Sequence, residues 1–268
     1  MSYDARETSI AGGAPVEFYE FTRGSAAPQR YTSADGDIVL SGNTYVARTL
    51  RRGRIEASAE RARNALQISC ERTFPIAEMF RVAPPSDVIG VVVKRQHRDD
   101  VDVAVIWTGR VLNCAFNGLE AVLSCEPVTS SMKRPGLRRL YQRGCPHVLY
   151  GPGCGLNRAS VSTLTTVTAI SGLVLSVAAL DAYPFAGGFV EWEVEPGVFE
   201  RRFIGSFSSL NLTLTQPFQG IPIGAAVTVS PGCDHTMATC DGTYANVPNF
   251  GGFPFIPIKN PFAGTPVY

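Results

Sequence analysis

Alternation of apolar and polar positions dominates this chain and predicts strands along most of its length. Val16–Arg23 (VEFYEFTR) alternates as a half-buried strand. Ile38–Leu40 and Thr44–Val46 flank Ser41-Gly42-Asn43 and read as a hairpin. Ala65–Glu71 places Leu66, Ile68 and Cys70 on one face, which makes Cys70 a buried thiol and not a ligand. Val88–Lys94 and Val101–Trp107 are apolar, β-branched strands, with Arg95–Asp100 (RQHRDD) as a charged turn between them. Thr108–Asn113 continues the second of these. Ala121–Cys125 follows after a turn at Gly118, and Cys114 and Cys125 read as core thiols. Pro75–Phe80 is the one short helical segment expected here, with Pro75 at its first position and Pro84-Pro85 beyond its end. Ile55–Asn64 (IEASAERARN) fits either a short helix or an edge strand.

From Val161 to Val229 the pattern is β throughout. Val161–Ile170 and Leu173–Ala179 flank Ser171-Gly172, and Phe189–Val194 and Val198–Ile204 flank Glu195-Pro196-Gly197. Leu210, Leu212 and Leu214 alternate with polar residues, and Ala225–Ser230 runs directly into Cys233. The tail, Asn246–Tyr268, carries prolines at 248, 254, 257, 261 and 266 and cannot form a regular helix. Its Phe residues are either buried as it lies extended over its own domain or docked on a neighbouring chain.

Composition sharpens this picture without redirecting it. With 268 residues, 45% of them hydrophobic and 18% charged, the chain buries a sizeable core in one or two domains. A net charge of +1 gives no global electrostatic case for nucleic acid. MSYDARETSIAGG has no apolar secretory region, and Ala169–Ala182 is interrupted by Ser171, Ser176 and Asp181. Synthesis in a reducing cytoplasm is therefore expected, and seven cysteines there point to metal more than to a disulfide framework.

The candidate chemistry lies in two short cysteine loops. Cys145–Cys154 (CPHVLYGPGC) encloses eight residues, Cys233–Cys240 (CDHTMATC) encloses six, and seventy-eight residues separate the pairs. The β module of residues 161–230 accounts for that separation. Pro146 and Pro152 stiffen the first loop, while Gly151, Gly153 and Gly155 allow positive φ and close approach, as wrapping an ion or cluster requires. Three readings compete for the four thiols. Structural zinc usually shows CxxC knuckles, which both pairs lack. Two disulfides fit a cytoplasmic product poorly. An iron–sulfur cluster is larger than one ion and suits longer loops. His147 and His235 sit inside the loops and read as neighbours of the site, not ligands. Lys133, Arg134, Arg138, Arg139 and Arg143 are a solvated linker, a phosphate-contacting cluster, or cations beside an anionic four-thiolate cluster. No HExxH or GxSxG motif is present, and a Cys145–His147 nucleophile would consume a ligand, so no catalytic residues are assigned.

These words carry a resemblance. CPHVLYGPGCGLN, NFGGFPFIPIKNPF and the paired cysteine spacing resemble the tail-tip hub proteins of siphophages and gene transfer agents, including the C-terminal iron–sulfur domain of the lambda tail tip protein L. The resemblance is specific over about residues 120–160 and 230–262 and weak in the N-terminal β region. It implies a mainly β fold: a β-barrel-like hub domain over residues 1–135, a small four-cysteine iron–sulfur domain split into residues 136–160 and 231–268, and an inserted β module at 161–230. It implies a structural protein of the virion tail tip, with Cys145, Cys154, Cys233 and Cys240 ligating a [4Fe–4S] cluster (zinc being the alternative). The implied partners are two further copies in a homotrimer, the distal tail protein, a central fibre or receptor-binding hub protein, and the tape measure, with no nucleic-acid specificity. The competing functional classes are a zinc-stabilised adhesin and a tail-associated peptidase or peptidoglycan hydrolase.

Overall fold

The computed structural model describes residues 3–56, 65–98, 100–133, 136 and 140–257. Residues 57–64 of the ambiguous stretch, Arg134, Arg138 and Arg139 of the basic cluster, and residues 258–268 of the tail lie outside the described residues. The chain is mainly β and divides into two compact units, one of Met1–Arg134 with Glu193–Glu200, the other of Pro135–Trp192 with Arg201–Tyr268.

The first unit is built on nine strands: β1 (Pro15–Arg23), β2 (Gln29–Thr32), β3 (Ile38–Leu40), β4 (Asn43–Ala47), β5 (Leu50–Arg52), β6 (Leu66–Glu71), β7 (Ile89–His97), β8 (Val103–Asn117) and β9 (Glu120–Pro127). They form one sheet in the order β3-β4-β2-β1-β7-β8-β9-β6-β5. Four strands separate β1 from β5 in that order, yet Arg52 of β5 reaches Glu17 of β1 at 2.7 Å. Tyr31 of β2 shares a core with Leu50 of β5 and Leu66 of β6. The sheet is therefore curled around its apolar face, with side chains rather than a hydrogen-bonded ladder bringing the far strands together. Phe74, fully buried, packs its ring 5.8 Å from Phe21 and 4.7 Å from Tyr31. Burying a side chain of this kind is worth about 1.5–3 kcal/mol. Phe74 is followed by the short helix α2 (Pro75–Glu78), with Pro75 in its first turn, where its missing N–H costs nothing.

Most predicted strands are present, and their limits differ for identifiable reasons. The RQHRDD stretch is not all turn. β7 runs on to His97, which is buried because α1 (Tyr3–Glu7) packs near it, with the Tyr3 ring 5.4 Å from its imidazole and Glu7 beside Arg95. β8 is one 15-residue strand from Val103 to Asn117, kept in register with β7 and β9 by bulges. Cys70 and Cys125 are buried, and Cys114 packs against the same core while remaining partly exposed.

Six further strands form a closed barrel in the order β10-β11-β14-β13-β12-β15, which lies in the second unit apart from residues Glu193–Glu200. They are β10 (Thr163–Ser171), β11 (Val174–Val177), β12 (Phe189–Glu195), β13 (Val198–Ser208), β14 (Asn211–Leu214) and β15 (Ala226–Ser230). The closed barrel is thus made by the inserted module, while the N-terminal sheet is the curled one. Inward residues alternate as the pattern requires: Val167, Leu175, Val190, Ile204, Leu212, Val227 and Val229 fill the interior. Gly172 and Gly197 sit at the predicted hairpin turns with φ of 59° and 77°, where a side chain would be strained. Closure leaves this barrel no free edge, and β15 delivers the chain to the second cysteine pair.

Candidate metal centre

Cys145, Cys154, Cys233 and Cys240 line one small cavity of about 20 Å³. The four predicted residues are therefore brought together. Backbone hydrogen bonds join the two loops: the Cys145 N–H donates to the His235 carbonyl at 2.9 Å. Within the first loop the N–H groups of Cys154 and Gly155 both donate to the Gly151 carbonyl, at 3.0 and 2.9 Å. Gly155 has φ of 66°, and Tyr150 and His235 also adopt the left-handed region, at 62° each. These tight reversals turn sulfurs from distant parts of the chain toward one centre.

The second pair is not wholly a loop. Cys240 lies on a short helix, α3 (Met237–Gly242). Thr236 caps it by accepting a hydrogen bond from the Thr239 N–H, and Asp234 in turn accepts from the Thr236 N–H and hydroxyl. The Thr-x-x-Thr spacing beside Met237 and Ala238 carried this signal, which the cysteines on either side obscured.

Polar hydrogens point at three of the four sulfurs. The His235 N–H donates to Cys233 Sγ at 3.3 Å, the Gly251 N–H to Cys145 Sγ at 3.4 Å, and the Asn246 amide approaches Cys154 Sγ at 3.6 Å. Donors of this kind favour thiolate over thiol, and they are what a thiolate-ligated metal group requires around it. Burial pushes the Cys233 thiol up, partly offset by the His235 N–H and reinforced by the charges of Asp234, Cys154 and Cys145. Burial also pushes the Cys240 thiol up, with the other three cysteines adding to the effect. Among the described residues, no three His, Cys, Asp or Glu side chains are grouped closely enough to hold a single metal ion.

The site is anchored to the barrel. The Tyr150 hydroxyl, from the first loop, donates to the Pro231 carbonyl at 2.6 Å, and the Tyr244 hydroxyl, just past α3, donates to the next carbonyl, Gly232. Burial pushes both phenols up, Tyr244 to about 12, so both remain donors at neutral pH. His147 and His235 line the cavity as neighbours of the thiols. Of the basic cluster, Arg143 donates to the Pro254 carbonyl at 3.3 Å. The described part of the tail lies on its own unit, with Gly251 buried, but Phe255 is 90% exposed rather than packed away.

Arg158, which follows the Asn157 cap, and Arg201 both bind Glu191, whose side chain is 8% exposed. Burial would push this carboxyl up. The hydrogen bonds and charges of Arg158 and Arg201 outweigh burial and hold it below the usual carboxylate range. Its folded pKa is depressed, so its contribution is present above the unfolded value and is lost as pH falls through the folded one. Glu191→Gln is expected to cost about 1.5–3 kcal/mol at neutral pH, the worth of hydrogen bonds to a charged group. It should also flatten the fall in Tm below about pH 4.5. Thermal melts of both proteins from neutral to acid pH check this, and parallel curves would refute it.

Together these features define a two-unit β protein whose closed barrel carries a half-buried four-thiol site. Residues 183–260, which include Cys233 and Cys240, match a family described as phage conserved hypothetical protein BR0599. An uncharacterized protein of Xylella fastidiosa (strain 9a5c) is 30% identical over 169 residues, 57% of this chain. The match takes in 34% of that relative, so the chain spans about a third of its length. A solved chain titled as the virion of a native gene transfer agent particle shares the fold, with a TM-score of 0.79 over 99% of this chain and 96% of that one, at 18% identity.

Proposed function

We propose that this chain is a structural virion protein of the distal tail tip of a long-tailed phage or gene-transfer-agent-like particle, and that Cys145, Cys154, Cys233 and Cys240 hold a [4Fe–4S] cluster. The observation that carries the site is the convergence of four thiols on one cavity with N–H donors directed at three of their sulfurs. The virion role is supported by the phage family over residues 183–260 and by the fold shared with the gene transfer agent virion chain. The tail-tip position rests on the motif resemblance. A cluster is favoured over zinc because neither pair has CxxC spacing.

When bound, such a group supplies a covalent cross-link among four distant positions and an anionic centre. The residues supply the rest. The Gly- and Pro-rich first loop wraps, α3 presents Cys240, and Tyr150 and Tyr244 hold the Pro231-Gly232 segment so that Cys233 stays in place. The role is structural, not catalytic. The partners are further copies of the chain in a trimeric ring, the distal tail protein, a receptor-binding hub protein and the tape measure.

The test is iron and acid-labile sulfide content, with a visible spectrum, on protein purified without oxygen. Iron and sulfide at about four each per chain, lost in Cys154→Ser, are expected. About one zinc per chain without sulfide would overturn the cluster and leave a zinc-stabilised tail protein. Immunogold labelling of purified particles should decorate one end of the tail, and unlabelled tails would overturn the virion role.

A further inference from the structure

The cavity wall has a third contributor besides the two cysteine loops. Residues Asn246–Pro254 return across the Cys145–Cys154 loop and are fastened at successive points to it and to the residues just before it. The Asn246 side-chain amide donates to the Cys154 carbonyl at 2.7 Å and lies 3.6 Å from Cys154 Sγ, while its own oxygen accepts from the Asn249 amide at 2.7 Å. The Gly251 N–H donates to Cys145 Sγ. The Phe253 N–H donates to the Gln142 carbonyl at 2.9 Å, and its ring lies 4.5 Å from that of Tyr141. Arg143 binds the Pro254 carbonyl.

Two glycines make this approach possible. A side chain at Gly251 would collide with the His147 ring, and one at Gly252 would begin 2.5 Å from the Arg143 carbonyl oxygen. Gly153 meets the same His147 ring from the first loop. His147 is thus wedged between two backbones, and its bulk sets the gap between loop and tail.

We propose that Asn246–Phe253 is a strap that closes the four-thiol site, with Asn246 as its positioning residue. Asn246 fixes the Cys154 carbonyl and sulfur together and aims the following turn so that the Gly251 N–H meets Cys145. The strap favours a thiolate-bound group by directing the Gly251 N–H and the Asn246 amide at two of the sulfurs, and it limits access of solvent, oxygen and chelators. This rests on the four-thiol site of the proposed function and concerns how that site is closed.

Two readouts test it, one of which needs no metal. In reduced, metal-free protein, iodoacetamide labelling followed by peptide mass spectrometry reports the exposure of each thiol. Asn246→Ala is expected to speed labelling of Cys145 and Cys154 while the buried Cys70 and Cys125 in the other unit remain unlabelled. In protein loaded with iron and sulfide, the same variant should lose iron to a chelator about ten- to a hundredfold faster. Its reduction potential should fall, because hydrogen bonds to sulfur stabilise the more negative, reduced state. Asn246→Gln, which keeps the amide, should restore part of each effect. Gly251→Ala, which displaces His147, should reproduce the labelling change.

Unchanged labelling, release rate and potential in Asn246→Ala would overturn the strap while leaving the four-thiol site standing. A wild-type protein that takes up no iron or sulfide would overturn the cluster, and the labelling arm would still decide the strap. Equal acceleration at all seven cysteines would mean general unfolding and would also count against it.

Discussion

Replacing Cys240 by serine should lower the unfolding free energy of the second unit by about 4 kcal/mol or more, the largest effect expected from a single side chain in this protein. With the proposed cluster bound, its ligands tie residue 145 to residue 240, and a variant that fails to assemble it gives up the loop closure of that span, on the order of 4–5 kcal/mol of chain entropy in the unfolded state. Ligation adds its own free energy, because the site does not exist in the unfolded chain. The chain's two tryptophans allow the effect to be localised. Trp192 belongs to the second unit, packing its ring 6.1 Å from Phe218, and Trp107 belongs to the first. In a Trp107→Phe background, fluorescence in a denaturant titration reports the second unit alone, and the Cys240→Ser midpoint should drop sharply. In a Trp192→Phe background the change should be much smaller. A second-unit midpoint that does not move would mean that the four cysteines do not cross-link the fold.

Gly232→Ala should destabilise the barrel by at least about 3 kcal/mol, the upper end of the cost of overpacking. Gly232 lies between β15 and Cys233, where two backbones cross. A Cβ there would begin 2.5 Å from the Gly188 nitrogen and closer still to the Ala186 carbonyl. Neither neighbour is the end of a flexible side chain, so neither can yield. The Gly232 N–H also donates to the Pro184 carbonyl at 2.8 Å, and its own carbonyl receives the Tyr244 hydroxyl, so movement would break both bonds. The variant is therefore expected to lower the melting temperature and to weaken retention of the proposed cluster. Far-ultraviolet melts with iron content measured in the same samples check both. Wild-type behaviour in the two measurements would mean that the crossing is looser than its distances imply.

The parts of the fold legible in advance are those where one residue reports directly on its own environment. Period-two alternation in Leu66–Cys70 and Leu210–Leu214 marks strands because a sheet has two faces and only one is buried here. Gly172 and Gly197 mark turns because few other residues tolerate their φ. Less was legible where an environment is made by distant residues. His97 sits among charges in sequence, yet it is buried because α1 packs near it and its Nδ1 accepts the Ala14 N–H at 3.1 Å. The strand Leu50–Arg52 is three residues long and polar at two of them, and it exists because β6 and the Glu17 carboxylate wait for it. α3 was hidden because the cysteines around it read as loop punctuation, while its cap at Thr236 depends on the Asp234 turn.

By itself the sequence determined that this protein is mainly β, that its β module separates two cysteine pairs, and which four thiols are candidates for one centre. Those conclusions follow from local periodicity, turn chemistry and the preference of metals for thiolate, none of which needs coordinates. Only the tertiary structure decided that the inserted module is the closed barrel, that the four sulfurs face one cavity, and that the tail from Asn246 to Pro254 crosses it. The reason is physical. Strand closure, the convergence of residues ninety positions apart, and the fit of Gly251 and Gly153 around His147 depend on how backbones meet in space, and nothing in a local window of residues records that meeting.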